Sequence, residues 1–438
     1  MNLSEIRDMV GSILDYSPDV QTYKDEVTRV VNQLYLEMFA DRKWQFAQKS
    51  KNLTAYKDVT GTGNTGLGAF TATSAVLDTW MEGQIIEISG GTWSGDALSG
   101  EYIIRKVAST TIAYLNNLDG SAATGGSTTA PASFRVKHRY VDMPEDMVKV
   151  MSLGIRTPAQ SSDTATGNAT INFLNCSRHL DEELDLDLDM SGRPTDWIRY
   201  DNYQMPQPVT APQLGTTTLP GPTGSLAAGT YYVKYVFEDN NRKSAPSAAA
   251  FITLANSLRD ELDVDSGLQA TAANSGLVKR VYMRTPDSMA YYQVSNSVVT
   301  EAATSASNLA LDSAYFTSSN RLPEHGGSYE RVRLYPRQDA DVTVTLRYLF
   351  QPPMLIEDTD VPLLPPSHHN YLVYRACQEL FVKHNNVQHS ELYKRKADQE
   401  LLRMENRYLS EGATHWVKAS FRGRPSLDFS ESKLTTSG

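Results

Sequence analysis

Apolar positions at the start of the chain recur at helical spacing. Leu3, Ile6, Val10 and Ile13 are separated by three or four residues, which puts them on one stripe of a helix. Ser17-Pro18 then reads as an N-cap followed by proline at the first helical position. Val20, Tyr23, Val27, Val30, Leu34 and Met38 carry a second stripe through about five turns. Arg42-Lys-Trp44-Gln-Phe46 follows where that helix should end. The period then changes. Gln84–Ile88, Tyr102–Val107 and Thr111–Leu115 are short runs of strand type, with Gly90-Gly91 and the stretch from Gly95 to Gly100 between them. Gly, Thr and Ser dominate both flanks, residues 60–74 and 120–133. These features predict a small β-barrel inserted after the helices.

Farther on, residues 135–141 alternate as a strand. Residues 183–190 alternate strictly, with every Leu on one face and Asp185, Asp187 and Asp189 on the other. A half-buried strand with an acidic outer face is expected. Five prolines between 206 and 222 read as linker. Gly229–Phe237 alternates, Asp239-Asn240-Asn241 reads as a hairpin turn, and Val278–Arg284 and Tyr291–Val294 read as further strands. Strands at this spacing predict a fibronectin- or immunoglobulin-like sandwich. Arg331–Tyr335 and Val342–Phe350 read as one hairpin. Pro365-Pro366-Ser367 opens a helix striped by Tyr371, Tyr374, Cys377 and Phe381, and Ser390–Leu409 reads as a last helix after a polar break at His384–His389. No apolar period continues beyond residue 410, so an extended arm is expected.

The predicted fold is α+β: a discontinuous helical core with a small sheet, two inserted all-β domains and a C-terminal arm. The segments are residues 1–57 (core, N-terminal helices), 58–134 (barrel), 135–205 (core), 206–325 (sandwich), 326–410 (core, hairpin and helices) and 411–438 (arm).

Charge sharpens this picture. The net charge is −10, and half of it lies between Arg178 and Asp201, where eight acids face three bases. Tight wrapping of duplex DNA calls for the opposite balance. No run is long and apolar enough for a membrane helix, and the first ten residues show no secretory signal pattern. Cys176 and Cys377 are too few for a disulfide framework or a four-thiolate zinc site and read as buried free thiols.

The motif search excludes most chemistry. Gly61-Thr-Gly63-Asn-Thr-Gly66 fits the dinucleotide fingerprint only literally, because no helix follows it; it reads as flexible linker. Gly91-Thr-Trp-Ser-Gly95 carries its serine one place late for a nucleophile elbow. His368, His369, His384 and His389 have no carboxylate at ligand spacing and read as polar or packing residues. The expectation is no catalytic residue, no metal and no cofactor. The arm is the stronger candidate: Trp416, Phe421, Arg422 and Arg424 are interface-anchor types on a segment that should not fold alone. Trp44 and Phe46 read as core residues with a secondary candidacy as anchors.

Several segments form a further pattern: the helices ending in Arg42-Lys-Trp44-Gln-Phe46, the Tyr140-Val-Asp-Met-Pro144-Glu-Asp-Met147 step, and the turn Met190-Ser-Gly192-Arg193-Pro194. Leu334-Tyr-Pro336, Leu346-Arg-Tyr348 and Pro362-Leu-Leu-Pro365 leading into His369–Leu380 complete it, and together they cover about half the chain. In these segments the chain resembles head-to-tail adaptor proteins of tailed bacteriophages, also called connector or tubular head-completion proteins. The resemblance implies a structural, non-enzymatic virion protein at the head–tail junction, made in the host cytoplasm. It implies a homo-oligomeric ring, typically a dodecamer, that joins the portal ring to the tail nozzle or other tail proteins. DNA would pass the lumen without sequence-specific binding, and no membrane is involved. By the same likeness the arm with Trp416, Phe421, Arg422 and Arg424 would dock on the portal or a neighbour. Asp185, Asp187 and Asp189 are candidates for an acidic lumen or partner face, which would repel the phosphate backbone. The alternative is a tail-fibre or baseplate component that binds a host receptor through its β-sandwich. Helices at both ends and the lack of an internal repeat weigh against it.

Overall fold

The computed structural model describes residues 1–16, 21–66, 69–90, 92–93, 96–97, 100–118, 120–123, 132–156, 171–176, 190–218, 226, 228–239, 242–254, 260–271, 275–309, 320–322 and 326–409. The chain divides into two compact units, Met1–Lys49 with Tyr348–Gly438, and Ser50–Arg347. The fold is mixed α and β, with β domains in the second unit.

Among the described residues the first unit holds four α-helices. Helix α1 (Leu3–Leu14) opens with a capping box: Asn2 accepts from the Glu5 backbone at 2.8 Å, and Glu5 accepts from the Asn2 backbone at 3.0 Å. Its predicted stripe Leu3, Ile6 and Val10 is buried. Helix α2 is Gln21–Asp41. The predicted cap at Ser17-Pro18 lies outside the described residues. On α2 the buried stripe runs through Tyr23, Val27, Val31, Leu34 and Met38, with Val31 rather than Val30 fully inside. The Asn32 side chain exchanges two 2.8 Å bonds with the Leu355 backbone, and the Tyr35 hydroxyl accepts from Leu363 N at 2.9 Å. Two side chains of one helix thus fix the irregular segment that leads to α3 (Asn370–Lys383). A 3-10 turn, Pro366–His368, precedes α3. The polar break before α4 (Val387–Tyr408) is short: Asn385 has φ of 56° and the Asn386 side chain caps the new helix at His389 N. α4 buries a face of Ser390, Ala397, Glu400 and Met404.

In the second unit, six strands close a barrel in the order Val59–Gly66, Ala69–Ala72, Ile112–Asn116, Gly100–Ser109, Ile85–Ser89 and Ala132–Lys137. Two expectations change here. The glycine tract 61–66 is no linker; it is a barrel strand paired on both sides. Its glycines admit rings: a Cβ on Gly61 would stand 2.8 Å from Phe134, and one on Gly63 would collide with Phe70 and 2.7 Å from the Thr71 carbonyl. The strand read over 135–141 as the next core element closes the barrel through Ala132–Lys137. Phe70, Met81, Ile86, Ile88, Ile104, Leu115, Phe134 and Val136 fill the interior.

Residues 213–309 form two sheets around one apolar core. Gln213–Thr218, Asp260–Ser266 and Ala306–Leu309 make one sheet. Gly229–Asp239, Arg242–Lys243, Ala250–Leu254, Val278–Arg284 and Tyr292–Val299 make the other. Tyr231, Val233, Tyr235, Phe237, Leu262, Val264, Val281 and Met283 share the interior. Gln213–Thr218 lies in the stretch read as linker; its threonines suit a strand despite the prolines on either side.

Two four-stranded sheets and two two-stranded pairings, Ser191–Gly192 with Arg337–Gln338 and Thr92–Trp93 with Asp96–Ala97, are also present among the described residues. One four-stranded sheet runs Gln48–Ala55, Val342–Phe350, Met147–Arg156, Ile171–Phe173; the other runs Val141–Asp142, Ser328–Tyr335, Asp196–Gln204, Asn175–Cys176. The predicted hairpin of Arg331–Tyr335 with Val342–Phe350 is therefore not formed. Its strands lie in different sheets because the stretch between them is no tight turn: Pro336 offers no amide donor, and Arg337–Gln338 pairs in parallel with Ser191–Gly192. Cys377 is buried, but Cys176 is exposed, because it ends a two-residue strand at a sheet edge. The acidic strand expected over 183–190 lies, up to residue 189, outside the described residues.

Candidate interaction surfaces

Trp44 ends the turn after α2 and is wholly buried. Its indole donates to the Met38 carbonyl at 2.7 Å, its ring stacks on Phe46 at 5.4 Å, and its backbone bridges to Leu409. Phe46 meets Tyr408 edge-on at 5.7 Å, and Arg42 pairs with Glu405. Trp44 is thus a core residue, and the cluster it builds fixes the last described turn of the chain. Trp416, Phe421, Arg422 and Arg424 lie outside the described residues, as do Asp185, Asp187 and Asp189.

The four histidines of this unit among the described residues do not converge. His368 Nδ1 lies 2.5 Å from a Glu400 oxygen, both groups buried, and Arg403 reaches the other oxygen at 3.0 Å. His369 Nδ1 accepts from the Met1 amino group at 2.9 Å, so its Nε2 donates to the Leu364 carbonyl at 2.9 Å. Burial lowers its pKa. His384 meets the Tyr16 hydroxyl at 2.8 Å, and His389 meets Asn386 at 2.9 Å. Among the described residues no three His, Cys, Asp or Glu groups stand close enough to hold a metal. The Glu400 partner of His368 was missed in the sequence because it sits 32 residues away on another helix.

The same unit carries a cleft of about 370 Å³ between α2 and α3. Val30, Leu34 and Leu380 line it, with Glu26, Arg29, Glu37, Glu379 and Lys383 around them. Lys383 is paired with Glu26. On α4, Lys394, Arg395, Lys396, Arg403 and Arg407 are exposed together with Leu392 and Leu402. Glu391 and Asp398 are exposed among them, Arg403 pairs with Glu400, and Lys396 lies over the Tyr374 and Tyr393 rings, so this surface is of mixed charge.

The second unit holds a polar seam where the barrel, the flat sheets and the two-sheet domain meet. Arg331 donates to Asp142 at 3.0 Å and lies between two rings, 3.9 Å from the Tyr140 centroid and 4.1 Å from Tyr203. Arg242 covers the Tyr203 ring at 4.5 Å, pairs with Asp239 and stands 3.5 Å from Asp142. Tyr140 donates to the Gly83 carbonyl of the barrel. Beside the seam, burial pushes the Glu145 carboxyl up to about 7 and the Glu82 carboxyl up to about 6. His138 is buried between Tyr56, Trp80 and Gln338, and burial pushes it down to about 4. Its Nδ1 accepts from Tyr56 N at 3.2 Å, so the ring is neutral. The seam's charges are paired internally, although Arg242, Asp239 and Glu145 each keep one buried side-chain atom without a hydrogen-bond partner. The seam orients domains, and it offers no open position for a reacting group.

Residues 257–416 match the family of SU10 adaptor proteins. The matched stretch runs from the strand Asp260–Ser266 through α3 and α4 and is less than half of the chain. It supports, at the coarse level, a structural phage adaptor carried in the virion. It contains the Arg331 side of the seam, Glu400 and the whole of α4. No curated protein matches the chain. Among the described residues no helix is long and apolar enough to cross a membrane.

Proposed function

We propose that this chain is a head-to-tail adaptor that works as a ring between the portal and the tail and extends the DNA channel. The match of residues 257–416 to an adaptor family carries the reading. Of the segments behind the sequence resemblance, Leu334–Pro336, Leu346–Tyr348 and Pro362–Leu380 fall inside that match, and Arg42–Phe46, Tyr140–Met147 and Met190–Pro194 fall outside it. Its role is structural and needs no catalytic group or cofactor. Residues 411–438 act as the docking arm, with Trp416, Phe421, Arg422 and Arg424 as anchors; Leu409, tied to Trp44, is the fixed root from which it leaves. Asp185, Asp187 and Asp189 face the lumen or a partner.

The test is native mass, for the chain alone and mixed with its portal ring. Twelve bound copies of a 48.5 kDa chain add about 582 kDa. A stable trimer that ignores the portal would move the assignment to a fibre. Deleting residues 411–438 should leave the melting temperature nearly unchanged and abolish attachment. Attachment of the truncated chain would remove the arm from the account.

A further inference from the structure

The five-stranded sheet turns one face into its own core and the other outward. Along Gly229–Asp239 the inward set is Tyr231, Val233, Tyr235 and Phe237, so Tyr232, Lys234, Val236 and Glu238 share the outer face. That outer face has two halves of opposite character. In one half Val236 and Tyr282 are fully buried, the Tyr282 hydroxyl accepts from Lys243 at 3.2 Å, and Arg280 is paired with Glu238. The half around Phe251 is open. Phe251 is 69% exposed and Met289 45%.

The open half combines rings with cations. Tyr232 pairs across the strands with Phe251 on one side and Arg284 on the other. The Tyr232 and Phe251 centroids are 6.0 Å apart. The Arg284 guanidinium lies 5.1 Å over Tyr232, steadied by a 2.8 Å bond from its Nε to the Ser288 carbonyl. Lys234, diagonal to Arg284 on the same face, holds its ammonium 4.8 Å over Tyr291. Among the described residues no carboxylate pairs with either cation, although Arg280 on the same face has Glu238. Burial lowers the pKa of Lys234, so its charge is held at a cost that a bound anion would offset.

We propose that this half-face, built by Phe251, Tyr232, Tyr291, Lys234 and Arg284, binds a glycan that carries a carboxylate or phosphate. The C–H face of a sugar ring packs on the exposed Phe251 ring, and its acidic group takes the two cations. Two neighbouring cations match one acidic substituent. A nucleic-acid strand would need a track of several phosphate contacts, which this face lacks. The inference goes beyond the adaptor reading and does not depend on it.

The test uses the full chain on an array of sialylated, uronic-acid and phosphorylated oligosaccharides beside their neutral parents, with dT12 and polyglutamate as further probes. Acidic glycans should be held about a hundredfold more tightly than neutral ones, about tenfold for each of the two charged contacts. Lys234→Gln and Arg284→Gln should each cost about tenfold. Phe251→Ala should abolish binding with no change in melting temperature, since its side chain stands outside the core. Equal binding of neutral glycans, binding insensitive to all three variants, stronger capture of dT12 or polyglutamate, or no glycan bound would each overturn the assignment.

Discussion

The barrel and the seam beside it hold their shape by opposite means. The barrel interior is apolar: Phe70, Ile86, Ile104, Phe134 and Val136 bury carbon against carbon, while a closed ring of strands satisfies the backbone. Non-directional burial is enough there, because closure already fixes the register. The seam buries Arg331, Arg242 and Asp239 together with their partners. Here orientation does the holding, since a guanidinium between two rings and a carboxylate has one arrangement. Shape errors should therefore damage the barrel, and charge errors should damage the seam.

The largest expected effect is at the seam. Arg331→Ala removes two ring contacts and strips Asp142 of its closest cation, for a loss of about 3–4 kcal/mol in chemical denaturation. Combining it with Asp142→Ala should recover part of that loss, because the half-buried carboxylate is gone. A double variant whose losses simply add would show that the pair is not coupled.

A shape error in the barrel comes next. Gly63→Ala introduces a methyl group that meets Phe70 and the Thr71 backbone carbonyl. We expect about 2 kcal/mol of destabilisation. At Gly90, where φ is 80° and a Cβ meets nothing within 4 Å, the same change should cost about 1 kcal/mol, from backbone conformation alone. Equal losses at the two sites would mean that close packing of Gly63 on Phe70 does not matter.

The same contrast explains what the sequence disclosed. Helices were legible because their apolar stripe is a local signal: Leu3, Ile6 and Val10 are buried as the spacing predicts. Residues 61–66 misled because a barrel strand that admits two phenylalanine rings is written in glycine and threonine, the letters of a linker. The false hairpin arose because alternation marks a strand without naming its partner, and Ser328–Tyr335 pairs with strands far away in sequence. The seam was invisible for the same reason. Tyr140, Tyr203, Arg242 and Arg331 carry no mutual spacing and meet only in the folded chain. The acidic residues and residues 411–438 singled out in sequence lie outside the described residues; the last described residue, Leu409, bridges to Trp44.

The smallest expected effect sharpens the comparison through pH. Glu145 has one carboxylate oxygen buried without a partner and the other 3.5 Å from the Tyr329 hydroxyl; burial raises its pKa to about 7 from an ordinary 4.5. A carboxyl raised in the folded state binds protons that the unfolded chain has released. Its contribution therefore falls as pH rises from about 4.5 to about 7, and above that the full penalty remains. Glu82, raised to about 6, acts in the same direction. His138 acts oppositely: its pKa is lowered to about 4 from 6.5, so its contribution is full above 6.5 and is lost as pH falls toward 4. Between pH 5 and 6 two carboxyls oppose one imidazole, so the wild-type profile should fall as pH rises, and between pH 6.5 and 7 Glu145 alone continues that fall. Glu145→Gln keeps a side-chain oxygen for Tyr329 and removes the charge. It should be more stable than wild type at pH 8 by about 1 kcal/mol, after allowance for its partial exposure, and indistinguishable from it near pH 4.5. His138→Gln should show the mirror image, gaining on wild type only as pH falls below 6.5. If Glu145→Gln shifts stability equally at pH 4.5 and pH 8, its effect is packing and not charge. The seam would then resemble the barrel, and the contrast between them would rest on Arg331 alone.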